Sequence, residues 1–90
     1  MDKLDILDSF EGKTREAIST LSQIEQDETI PKNVRDKIRV SINALQNGDK
    51  GIDIKINRSL QELDEIADVP NIPAYTRTQI WHVVSLLESI

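Results

Sequence analysis

The stretch TIPKNVRDKI at residues 29–38 recurs as NIPAYTRTQI at residues 71–80, with an Ile-Pro pair, an arginine and an isoleucine at the same spacing. Proline fixes φ near the helical value, and its missing N–H is not needed in a first helical turn, so each Ile-Pro predicts a helix start. Because Thr29 and Asn71 stand two residues before the prolines, we expect their side chains to accept hydrogen bonds from the free N–H groups there. The repeated phrase therefore marks two equivalent helix starts.

We align residue 29 with residue 71, keep the same offset along the chain, and call the result the internal alignment. This alignment extends the match into the surrounding apolar positions. The matched pairs are Leu21 with Leu63, Ile24 with Ile66, Ile38 with Ile80, Ile42 with Val84 and Leu45 with Leu87. Apolar residues recur at spacings of three and four, which predicts helices at about residues 3–26, 31–46, 52–67 and 73–89. The fold class predicted is all-α, a four-helix bundle built from two tandem antiparallel helical hairpins.

One hairpin cannot bury its apolar face alone, so we expect the second to cover the first. This predicts a single helical domain over residues 1–90, with an internal repeat at residues 14–46 and 56–88. The extension at residues 1–12 has no counterpart, yet it carries Leu4, Leu7 and Phe10. These side chains either fold over the end of their own bundle, if Gly12 bends the helix, or meet a partner such as a second copy.

Composition limits the function classes. The chain has 90 residues, no cysteine and a formal net charge of −5, with 30% charged residues. It therefore has no disulfide or thiolate metal site, and its acidity opposes non-specific binding to nucleic acid. No apolar run reaches the ~20 residues of a membrane span, and the acidic start lacks the basic region of a signal peptide. We expect no membrane association and a cytoplasmic location.

The recurring arginines, Arg35 and Arg77, lie one turn into their helices. There a guanidinium can reach back into the preceding loop and staple each hairpin. We expect Arg35 to bond to Asp27, Glu28 or nearby loop carbonyls, and Arg77 to Asp68 or its neighbours. The alternative is that both arginines point outward and bind an anion.

Two stretches, DETIPKNVR at residues 27–35 and PNIPAYTRTQIWHVVSLLES at residues 70–89, resemble the signatures of the archaeal uncharacterised protein family 0147. The resemblance covers nearly the whole chain and implies a small all-helical protein of an archaeal cytoplasm. It implies no activity and supplies no catalytic residue. It rests on Pro31, Asn33, Arg35, Pro70, Asn71, Pro73, Arg77, Trp81 and Ser85.

No catalytic, cofactor-binding or metal-ligating residue is predicted. His82 is the only histidine, and no cysteine or suitably spaced carboxylate accompanies it as a zinc ligand. The acidic residues of the third helix are typical of a solvated face, and an enzyme that uses them is the weakest hypothesis.

Two surfaces remain as candidates for binding. Trp81, together with Leu4, Leu7 and Phe10, is a candidate protein-interaction surface. Lys32, Arg35 and Arg39 line one side of the second helix and can contact phosphate. We therefore predict a non-catalytic protein–protein interaction module; the alternative is an RNA- or ribosome-associated factor that uses this basic stripe.

Overall fold

Four helices account for most of the chain in a computed structural model that describes the backbone of residues 3–90 and the side chains of residues 7–90. They are α1 (Lys3–Glu25), α2 (Lys32–Gln46), α3 (Ile52–Ala67) and α4 (Ala74–Glu88). Each bound lies within one residue of its predicted position. The predicted all-α four-helix bundle is confirmed, and the isoleucine-rich start of α3 is helical although its alternation also suits a strand.

The helices pack as a square. Helix α1 contacts α2 and α4, and α3 contacts the same two helices, so α1 and α3 occupy opposite corners. The core between them is almost entirely aliphatic, and one fully buried residue from each helix illustrates it: Leu21, Ile38, Leu63 and Ile80. Burial of this apolar surface is the main force that holds the four helices together.

The two hairpins share the local backbone geometry that leads into their second helices. The internal alignment places both ends of α2 on the corresponding ends of α4, and the loop hydrogen bond from Asp27 N to Ile24 O has its counterpart from Val69 N to Ile66 O. Pro31 and Pro73 occupy the N-cap positions with nearly the same angles, φ −55° and ψ 143° against φ −62° and ψ 151°. The Ile-Pro phrase therefore sets the same local geometry twice.

The predicted capping by Thr29 and Asn71 is wrong, because neither α2 nor α4 has a side-chain cap hydrogen bond. The prolines themselves are the N-cap residues, so Thr29 and Asn71 stand two positions before the cap and do not accept from the first turn. Thr29 instead donates its backbone N–H and its hydroxyl to Asp27 Oδ1, at 3.0 and 2.6 Å.

Helix α1 is longer than its neighbours. Its 23 residues span ~34 Å, against ~22 Å for the 15 residues of α2. Lys13 Nζ lies 2.9 Å from Ser89 O at the end of α4, so the turns of α1 before Phe10 extend beyond the bundle. Gly12 lies inside this uninterrupted helix and does not end it.

Candidate functional site

The two recurrent arginines fasten the loops of their hairpins through backbone carbonyls. Arg35 Nε donates to Ile30 O at 3.0 Å, and Arg77 donates from Nη1 to Ala67 O and from Nη2 to Val69 O, the latter at 3.1 Å. These bonds are partly buried. The carbonyls at the end of a helix and in the loop after it have no helical partner, so they are the nearest free acceptors for a guanidinium.

The carboxylates predicted as staple partners lie elsewhere in these loops. Asp27 accepts both Thr29 bonds and one from Tyr75 Oη at 3.1 Å, which links the first loop to the start of α4. The Thr29 bonds are the main reason that the pKa of Asp27 is below its ordinary value, and the charge of Arg35 adds a smaller effect. Asp68 is exposed and is the C-cap residue of α3.

The basic stripe on α2 is largely engaged within the protein. Arg39 Nε lies 2.9 Å from Glu25 Oε1, and this bond is the main cause that raises the arginine's pKa. Arg35 is half-buried on its carbonyl, which leaves Lys32 as the exposed member without an ion pair among the described residues. The three side chains do not form a continuous cationic surface.

The acids of α3 also have partners. Lys37 Nζ lies 2.7 Å from Glu65 Oε2 and 3.6 Å from Glu62 Oε2, and the Glu65 hydrogen bond is the main cause that raises the pKa of Lys37. Among the residues that the structure describes, no three carboxylate or histidine side chains converge in a way that suits a metal ion. His82 Nε2 lies 3.3 Å from Glu16 Oε1 on the surface.

The residues of the predicted interaction surface separate. Leu4 lies outside the residues whose side chains are described. Phe10 is buried at the end of its own bundle, with Lys55 Nζ 5.4 Å from the ring centroid, and Leu7 beside it is half-buried. Phe10 therefore packs on its own chain and is not an exposed binding residue. Trp81 is 48% exposed on α4.

The sequence did not point to a groove on the opposite side of the molecule, between α2 and α3. Val40 and Ile54, which are 38% and 53% exposed, form part of its floor. Its volume is about 250 Å³. The full lining is Val40, Asn43, Ala44, Asn47, Lys50, Ile54, Lys55 and Arg58. The internal alignment contains a signal that could have indicated this groove. It pairs the aliphatic residues Val40 and Ile54 with His82 and Gly12, which are not aliphatic.

Among the described helices, none combines the length and the apolar content that a membrane crossing requires. The fold and these surfaces define a small helical protein of two hairpins, whose second helices have matching bounds, with exposed apolar patches.

Comparisons with known proteins then give the family. A model described as "Uncharacterised protein family (UPF0147)" matches residues 1–90, and the chain belongs to this family. It is 35% identical over 86 residues to a UPF0147 protein of Pyrococcus furiosus, covering 94% of this chain and 92% of that one. The resemblance noted in the sequence is confirmed, and the relatives are archaeal.

Two solved structures share the fold. A UPF0147 protein from Thermoplasma acidophilum superposes with a TM-score of 0.84 at 33% identity, covering 90% of this chain and 95% of that one. A protein of unknown function, MMP1188, superposes with a TM-score of 0.83 at 40% identity, covering 87% and 89%.

Proposed function

We propose that this protein is a non-catalytic interaction module that binds another protein through the outer face of α4. The observation that supports it is the chemistry of that face. None of the exposed residues between the start of α4 and Ser85 is acidic, lysine or arginine, in a chain whose charged content is 30%. They are Ala74, Tyr75, Thr78, Trp81, His82 and Ser85.

The internal repeat supplies a matched comparison for this face. The equivalent positions on α2 are equally exposed, but they carry Lys32, Asn33, Asp36, Arg39, Val40 and Asn43. The same place in the same local fold is therefore charged on α2 and nearly uncharged on α4. Since the backbone is equivalent, folding alone does not require this difference.

The composition of the α4 face suits a protein partner. Cores of protein interfaces are depleted in charged residues and enriched in aromatic ones, and tryptophan is frequent among the residues that dominate binding energy. Trp81 is placed to serve as such an anchor, with Tyr75 on the same helix. His82 is held toward Glu16 at the edge of the face.

The alternative, an RNA- or ribosome-associated factor, has less support. Phosphate binding needs several free cations, while Arg39 is paired with Glu25 and Arg35 with a loop carbonyl. We place the interaction module in the cytoplasm of an archaeal cell.

The test places a photo-crosslinking amino acid at position 81, and for control at the equivalent position 39, in the full chain expressed in its archaeal host. We expect a discrete protein adduct from position 81 and none from position 39. An RNA adduct from position 39 would favour the alternative. If position 81 yields no adduct in growing cells while the variant melts like the wild type, the proposal fails.

The chain carries a single tryptophan, so Trp81 also reports binding directly. The partner identified by crosslinking is then purified and titrated into the wild-type protein, which carries no crosslinker. The emission of Trp81 should move to shorter wavelength as binding removes water from the indole. An apolar contact should persist as salt is raised, whereas a phosphate contact weakens steeply.

A further inference from the structure

The groove between α2 and α3 is distinct from the α4 face, and its lining combines exposed aliphatic side chains with charges of one sign. Its charged members are Lys50, Lys55 and Arg58, with no carboxylate among the lining residues. Within the described part of the chain none of the three takes part in an ion pair. In a protein of net charge −5, this is a local reversal of sign.

The internal repeat shows that the groove is not a by-product of the fold. At the equivalent seam between α4 and α1, His82 stands in place of Val40, Gly12 in place of Ile54, and Glu16 in place of Arg58. That seam holds a contact between His82 and Glu16 at 3.3 Å. The α2–α3 seam therefore exposes two aliphatic side chains that its structural counterpart does not have.

The end of the groove lies beside the point where α1 leaves the bundle. Lys55 belongs to the groove lining and also lies over the ring of Phe10, 5.4 Å from its centroid. N-terminal to Phe10, the sequence has leucines at positions 4 and 7 and aspartates at positions 2, 5 and 8, with one lysine among them. In the sequence, the leucines and the aspartates each recur at intervals of three residues.

We propose that the α2–α3 groove binds the acidic, leucine-containing segment, residues 2–9, of a second copy of this chain. Leucine side chains would cover Val40 and Ile54, and the aspartates would meet Lys50, Lys55 and Arg58. An uninterrupted α1 projects outward and does not turn back to its own groove. Because donor segment and receiving groove adjoin in each copy, a two-fold axis between copies makes both contacts at once.

The composition of the groove favours this occupant over nucleic acid. Its floor is aliphatic, and it has no aromatic lining residue on which a base could stack. The occupant must therefore offer apolar side chains together with carboxylates. The N-terminal segment offers both.

The test is sedimentation equilibrium of the full chain over a wide concentration range. We expect a monomer–dimer equilibrium that weakens as salt rises, because part of the contact is ionic. Arg58→Glu and Ile54→Asp should each weaken it by about tenfold or more. Lys32→Glu, an exposed change of the same charge at the far end of α2, should leave it unchanged.

A charge exchange identifies the segment that occupies the groove. Asp5→Lys with Asp8→Lys should weaken the dimer, and adding Arg58→Glu to this variant should restore part of the affinity. A synthetic peptide of residues 1–10 in excess should dissociate the wild-type dimer. Melting curves of each variant check that the monomer is still folded, since Ile54 and Arg58 are exposed.

Three outcomes would overturn the proposal. They are a wild type that stays monomeric at every concentration, a dimer that Arg58→Glu and Ile54→Asp leave intact, and displacement of the segment by a single-stranded oligouridylate. None of these results bears on Trp81, so the proposed α4 interface is tested separately.

Discussion

The hydrogen bond between the hydroxyls of Ser41 on α2 and Ser59 on α3 is a polar contact inside an aliphatic core. Both side chains are 0% exposed, and each is the other's partner. At the equivalent positions of the internal alignment, on α4 and α1, stand Val83 and Ala17. The fold therefore accepts an apolar pair at this place, which makes the serine pair a clear test of how a buried hydrogen bond contributes.

Replacing one serine with alanine leaves the other hydroxyl buried without its partner, which costs about 1–3 kcal/mol. Alanine regains up to about 0.5 kcal/mol because it is the better helix former. We therefore expect Ser41→Ala and Ser59→Ala each to lower the free energy of unfolding by about 1–2 kcal/mol, or the melting temperature by roughly 4–16 °C. The double variant removes both hydroxyls and should lie within about 1 kcal/mol of the wild type.

The assay is urea unfolding of the wild type, both single variants and the double variant, followed by circular dichroism. The coupling energy of this cycle, which is the sum of the two single losses minus the loss in the double variant, should be about 1–4 kcal/mol, with an unchanged dependence on urea. Serine hydroxyls in helices can also donate to the carbonyl four residues earlier. A coupling energy near zero would mean that each hydroxyl is satisfied in that way, and the reasoning would be refuted.

Four further changes follow from single sites. Gly12→Ala should raise the free energy of unfolding in urea by about 0.5–1 kcal/mol, because the position is an exposed helical turn where an added Cβ meets nothing within 4 Å. An unchanged free energy of unfolding would mean that α1 frays at this position. Arg77→Ala should cost about 1–3 kcal/mol, and Arg77→Lys should recover only part, because one ammonium cannot reproduce the two-carbonyl contact; an unchanged melting curve would contradict the loop-fastening role. Thr14→Val should be neutral or stabilising by calorimetry, since the buried hydroxyl of Thr14 has no hydrogen-bond partner among the described residues. A marked loss of stability would reveal such a partner. Asp27→Asn should destabilise the protein well above pH 3.8, and the melting temperatures of variant and wild type should converge below that pH. The reason is that the pKa of Asp27 in the folded protein is below the ordinary 3.8, so its stabilising contribution is lost as pH falls through the folded pKa. A difference in melting temperature that stays constant with pH would exclude this linkage.

Sequence reasoning reached the fold because the signals that define it are local. The Ile-Pro phrase at Pro31 and Pro73 specifies where two helices begin, and apolar spacing specifies which face of each helix is buried. These signals act within a few residues, so they survive without knowledge of the neighbouring helix. The same locality explains why the helix bounds agree within one residue.

The errors concern partners that a residue meets across space. Thr29 is predicted to cap α2 although it bonds to Asp27. The guanidinium groups of Arg35 and Arg77 bond to loop carbonyls, which the sequence allows as acceptors beside the carboxylates without choosing between them. Ser59 is not one of the apolar residues that define the buried face of α3, yet it is fully buried and hydrogen-bonds to Ser41 of α2. Such pairings depend on the register of one element against another, which spacing along a single helix does not determine.

The repeat also separates what folding requires from what it does not. Positions that keep their character across the internal alignment, such as Ile38 with Ile80, are the core that both hairpins need. Positions with the same exposure but changed chemistry are under no such requirement. Arg39 against Trp81 is one, and Ile54 against Gly12 is another. These two differences fall on separate surfaces, the α4 face and the α2–α3 groove, and each exposes an apolar side chain where its counterpart does not. The asymmetry between the hairpins is therefore the observation on which both proposed contacts with other chains rest, and the crosslinking and sedimentation experiments test each one separately.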